Sequence, residues 1–92
     1  MKIPKKVKVG GLSYNIEIVD DLGDASACGT TDYNKGLITI EKATNKEFEQ
    51  QVFLHEVLHA INNEMPEERI EFLAMALYQF IKENPEVFNN NE

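Results

Sequence analysis

The sequence predicts an α+β fold in which a small antiparallel sheet, built of two hairpins, precedes an antiparallel helix pair. Three observations carry this. Leu12, Tyr14, Ile16 and Ile18 alternate with Ser13, Asn15 and Glu17, the period of a half-buried strand. From about Lys42 onward the apolar period changes to that of a helix. Turn-forming residues, Gly10-Gly11 and Asn34-Lys35-Gly36, punctuate the first part, and Asn62-Asn63 with Pro66 divides the second. With 92 residues and no internal repeat or linker, the chain is expected to form one domain. Its strands should lie within about 5–41, its helices at about 45–63 and 66–83, and a polar tail over 86–92.

Taken in order, Lys6-Val7-Lys8-Val9 and the Leu12 run flank Gly10-Gly11, a two-residue hairpin signal. A loop rich in aspartate follows at Asp20, Asp21 and Asp24. A second hairpin turns at Asn34-Lys35-Gly36 and returns along Leu37 to Glu41. Thr44 and Glu47 have the spacing of a capping box, so the first helix should begin there. Phe48, Val52, His55 and His59 form one stripe of it, while Leu54, Val57, Leu58 and Ile61 cover the neighbouring face, which predicts a helix buried on most sides. Proline fits best in a first helical turn, so Pro66 should open the second helix, and Asn84-Pro85 should stop it. Between them, Ile70, Leu73, Ala74, Leu77 and Ile81 share a face, and Asn89 to Glu92 reads as a frayed end.

Composition narrows the function. Hydrophobic residues at 42% and charged residues at 27% are those of a folded domain, and a net charge of -7 opposes a primary role on nucleic acid. Four of the nine basic residues, Lys2, Lys5, Lys6 and Lys8, cluster at the start, where a solvated strand edge explains them. No stretch approaches the roughly 18 apolar residues of a membrane span. The single cysteine, Cys28, allows no internal disulfide, and the first ten residues lack a signal-peptide core. The expectation is a soluble cytoplasmic protein without nucleic-acid or membrane partners.

Both histidines of the chain fall within His55-Glu56-Val57-Leu58-His59, an HExxH string. Two imidazoles four residues apart project from one helix face and can bind one metal ion. Glu56, beside them, suits a base that takes a proton from a metal-activated water and returns it to a leaving amine. A catalytic zinc usually has three protein ligands, and the absence of further histidines makes the third a carboxylate. Glu64, Glu67, Glu68 and Glu71 are the candidates. If the helices pack antiparallel about a turn near Glu64 and Met65, the metal, level with residue 57, faces about residue 72 of the second helix. Glu71 fits best and Glu68 second, with Glu67 further toward the turn. The helix dipole alone accounts for Glu67 and Glu68, which are expected to be exposed.

With HEVLHAI followed by EERIEFLAMALYQFIKENP, the chain resembles a small HExxH zinc metallopeptidase of the gluzincin type. It is similar to the short metallopeptidase-like proteins of bacteriophages and prophages, relatives of those that cleave phage repressors. The resemblance runs from about Gly29 to Pro85. It implies one zinc ion on His55, His59 and Glu71, Glu56 as general base and acid, and a protein or peptide substrate. It also implies an edge strand above the active helix, here Leu37 to Glu41, that pairs with an extended substrate. Larger gluzincins carry a second subdomain, so the cleft here should be shallow or finished by a protein partner. Tyr33 and Tyr78 are the candidates for holding the oxyanion, and Cys28 for a latent zinc cap, although a small buried thiol is the simpler reading of that cysteine. A catalytically silent, zinc-stapled binding or regulatory module is the alternative function, and an acidic regulator of a basic partner is a third.

Overall fold

The computed structural model describes residues 1–88, and the tail predicted at Asn89 to Glu92 lies outside them. The fold is α+β: strands β1 (Lys6–Val9), β2 (Leu12–Val19), β3 (Gly29–Asp32) and β4 (Leu37–Glu41) precede helices α1 (Lys46–Ile61) and α2 (Glu67–Glu83). A short 3-10 turn, Pro85–Phe88, takes up most of what the sequence suggested as the start of a polar tail. Among the described residues no helix is long and apolar enough to cross a membrane.

The first hairpin forms as predicted. Val9 pairs with Leu12, and Gly10 and Gly11 between them take φ of 58° and 86°. Both central residues of a tight primed turn need positive φ, which glycine adopts without a steric cost.

The sheet corrects the expected antiparallel arrangement. Its order is β1-β2-β4-β3, and β2 runs parallel to β4. The loop from Asp20 to Cys28 carries the chain past the β4 position, so β3 forms the outer edge and β4 returns into the gap beside β2. The residues explain the placement. Ile38 and Ile40 of β4 are 0% exposed, and a strand whose inward residues are both isoleucine gains most at the centre of the sheet. The β3 sequence, Gly-Thr-Thr-Asp, has little to bury and sits at the edge. The strand expected to offer a free edge, Leu37 to Glu41, is therefore interior, and the free edge beside α1 belongs to β3.

Helix α1 lies between two apolar clusters. On its sheet side Val52 and Phe53 pack with Tyr14, Ile38 and Ile40, flanked by Ile16, Val57 and Ala60. On its other side Leu58 packs with Ile70 and Ala74 of α2, flanked by Leu54, Met65 and Leu73. This is why α1 is apolar on most of its circumference. Leu12 and Ile18, at the ends of β2, extend beyond the cover of the helix and are exposed.

The cap of α1 differs from the predicted capping box. Asn45, not Thr44, is the N-cap, and its side-chain oxygen accepts from the N–H groups of Glu47 and Phe48 at 3.0 and 3.3 Å. The asparagine side chain thus takes the Glu47 N–H, which the threonine hydroxyl would have taken in a capping box one residue earlier, and that of Phe48 as well. Glu49 secures the approach to the helix by accepting from the Ala43 N–H at 2.9 Å and the Lys46 ammonium at 3.3 Å.

Candidate metal centre

The middle of α1 faces a cleft of about 540 Å³. Phe48, Val52, His55, Glu56 and His59 form its floor, the chain from Ser26 to Gly29 forms one wall, and Glu67 and Glu71 form the other. The stripe Phe48, Val52, His55 and His59 predicted from helical spacing is thus the floor of one cavity. The two imidazoles lie with ring centroids 4.9 Å apart, as expected for residues one turn apart.

The carboxylate that meets them is Glu67. Its Oε1 lies 2.5 Å from the Nε2 of His55, and its Oε2 lies 3.0 Å from the Nε2 of His59. Ligand-type atoms of His55, His59 and Glu67 all fall within 4.8 Å of one another. Glu71 lines the same cleft one helical turn further along α2 but stands outside that trio. Glu68 is exposed and is not among the residues that form the cleft.

The helix register behind the sequence estimate is nevertheless observed. Tyr78 donates its hydroxyl to Gln50 at 2.7 Å, and Lys82 pairs with Glu47, so opposed residue numbers sum to 128 or 129. Estimating from levels along the axis located the face of α2 that carries both Glu67 and Glu71. It missed the freedom of a long, exposed glutamate at the helix start to reach back over a turn toward both rings.

Glu56 is 5% exposed and is held from the sheet. The Thr31 hydroxyl lies 2.8 Å from its Oε1 and donates to it. Burial pushes the Glu56 carboxyl above the ordinary glutamate range, while the Thr31 hydrogen bond and the imidazoles of His59 and His55 pull it back down. A base near a metal site benefits from such opposed influences, because it must both accept and release a proton.

The other sequence candidates lie as follows. Tyr33 donates to the backbone carbonyl of His59 at 2.6 Å, and burial raises its phenol above the ordinary range. Tyr78 is buried and engaged with Gln50. Both hydroxyls brace α1, and neither tyrosine lines the cleft. Cys28 is exposed and lines the cleft wall, which corrects its expected burial. Sequence reasoning missed Gly29 and Thr31, since nothing in a Gly-Thr-Thr string announces contact with a carboxylate 25 residues away.

The alternation of the β3 ladder sets the free edge. Glu41 N–H donates to the Cys28 carbonyl at 2.9 Å, so the backbone groups of Cys28, Thr30 and Asp32 turn toward β4. Those of Gly29 and Thr31 turn outward, beside the cleft.

Two imidazole nitrogens and a carboxylate this close together are a donor set that could hold a metal ion. No protein-family model matches this chain, and neither does any curated protein or solved structure compared with it.

Proposed function

We propose that this protein is a zinc-dependent peptide hydrolase of minimal gluzincin type, acting in a reducing cytoplasm on an extended segment of another protein. The observation that carries the reading is the convergence of the His55 and His59 Nε2 atoms with the Glu67 carboxylate, beside the buried Glu56, in one cleft. His55, His59 and Glu67 would hold the ion. Zinc bound there would polarise the scissile carbonyl and lower the pKa of a water to about 7.

The chain's own groups supply the rest. An extended peptide adds to the open edge of β3 through the outward backbone groups of Gly29 and Thr31, which lays it along the cleft. Glu56 takes a proton from the attacking water and delivers it to the leaving amine, so that the amine departs neutral. Val52 and Phe48 provide an apolar floor beside the histidines that excludes water from one side of the peptide.

Hydrolysis of unfolded casein by the zinc-loaded protein tests this. Glu56→Gln keeps the shape of the side chain but cannot take the proton. It is expected to retain zinc and lose roughly a hundredfold or more of the activity. Equal activity in both proteins would remove Glu56 from the mechanism.

One observation favours a second reading. The ligand trio joins α1 to α2, and among the described residues the apolar cluster between those helices has only Leu58, Ile70 and Ala74 as its buried members. A metal there would staple the pair, as in a catalytically silent binding module. In that case zinc removal unfolds the chain and no hydrolysis is seen with wild type or variant.

A further inference from the structure

We propose that Thr31 is the positioning residue for Glu56 and that Gly29 is the gap that lets the Glu56 carboxylate lie against β3; the proposal rests on the peptidase reading above. Gly29 and Thr31 are two apart on the edge strand, so both present the same face to α1. The Thr31 hydroxyl carries one proton and has two acceptors within reach, Glu56 Oε1 at 2.8 Å and the Glu56 carbonyl at 3.2 Å. The shorter contact, to the charged acceptor, is the stronger. It fixes Oε1.

Gly29 sets the position of the other oxygen. A Cβ at residue 29 would lie 2.9 Å from Glu56 Oε2, 2.9 Å from Glu56 Cγ and 2.9 Å from Val52 Cγ1. Real Cβ atoms do not approach so closely, so any side chain there would force the carboxylate or the strand to move. The carboxylate is therefore clamped by a hydroxyl on one oxygen and by bare backbone beneath the other. Oε2 accepts no hydrogen bond from the described residues.

The same two residues turn their backbone groups to the free edge. A peptide paired to β3 and the base that serves it are thus referenced to one rigid strand. A shift of the edge strand would carry the paired peptide and the Glu56 carboxylate together and preserve the spacing between the scissile bond and its base. Misplacement of about 1 Å in such a site costs on the order of a hundredfold in rate.

Thr31→Val removes the hydroxyl while keeping the branched shape, and Thr31→Ser returns it. Zinc content, steady-state kinetics on unfolded casein and crystal structures of the metal-free proteins are measured for both, and for Gly29→Ala. Thr31→Val is expected to hold as much zinc as wild type and keep its KM, with kcat down roughly tenfold to a hundredfold. Thr31→Ser should recover to within about threefold of wild type. In the Thr31→Val crystal the Glu56 carboxylate should have left its place on β3. Gly29→Ala should lower kcat with zinc retained, which provides an independent reading should Thr31→Val fold poorly.

An unmoved Glu56 in Thr31→Val, unchanged kcat in both Thr31→Val and Gly29→Ala, or failure of serine to restore activity would overturn the proposal. Absence of hydrolysis by the wild-type protein would overturn the peptidase reading instead. The crystallographic comparison would then still decide whether Thr31 positions Glu56.

Discussion

Glu67 and Glu71 share one stripe of α2, one turn apart, and both line the cleft. Glu67 alone reaches both imidazoles. Glu67→Ala is expected to lose most of the bound zinc, as measured by elemental analysis after dialysis, whereas Glu71→Ala keeps the larger part. The reverse result would move the ligand one turn along α2, to the residue expected from the sequence. Glu49 carries a separate prediction about pH. The Ala43 N–H, and then the Lys46 ammonium, hold its carboxyl below the ordinary glutamate range despite the opposing effect of burial. A folded-state pKa below the unfolded one contributes stability above the unfolded value of about 4.3 and loses it as pH falls through the folded value. Urea unfolding of Glu49→Gln should therefore show a lower midpoint than wild type at pH 7. The two midpoints should converge as pH falls through the folded-state value of Glu49.

At the scale of elements, the pairing of α2 with α1 depends on few buried side chains. Ile70 is fully buried, and Ala74, 2% exposed, lets the helices approach closely. Ile70→Ala should cost about 2–5 kcal/mol in unfolding free energy by urea titration. It should also weaken zinc retention, because α2 carries a ligand. An unchanged midpoint would mean that α2 contributes little to the folded state. Both helices, the first hairpin and the return strand β4 were legible because each is written in local signals. These are a 3.6-residue apolar period, a Gly-Gly turn, and proline or asparagine at the breaks. The position of β4 was not legible. A hairpin signal links β3 to β4 but is silent about which of them meets β2. That choice follows from burying Ile38 and Ile40 under α1, a cooperative property of the sheet. The N-cap shift from Thr44 to Asn45 has a similar cause, since adjacent residues can satisfy the same N–H groups and only the path of the incoming chain decides between them.

For the whole molecule, a four-stranded sheet supports one helix that bears the site, and a second helix closes it from outside. His55, Glu56 and His59 were legible as a unit because their spacing within one helix determines their geometry. Contributions from other elements were not, because Thr31, Gly29 and Glu67 come together only when β3, α1 and α2 are packed. The architecture places a candidate metal site, a buried carboxylate and a free strand edge along one cleft. In the function proposed above, His55 and His59 share a metal ion with a carboxylate of α2. Elemental analysis of the purified, dialysed protein and of His59→Ala addresses it most directly. One zinc per chain is expected in the wild type and less than about a tenth of that in the variant. A wild-type protein that binds no zinc when it is supplied, or a His59→Ala protein that keeps a full equivalent, would contradict it.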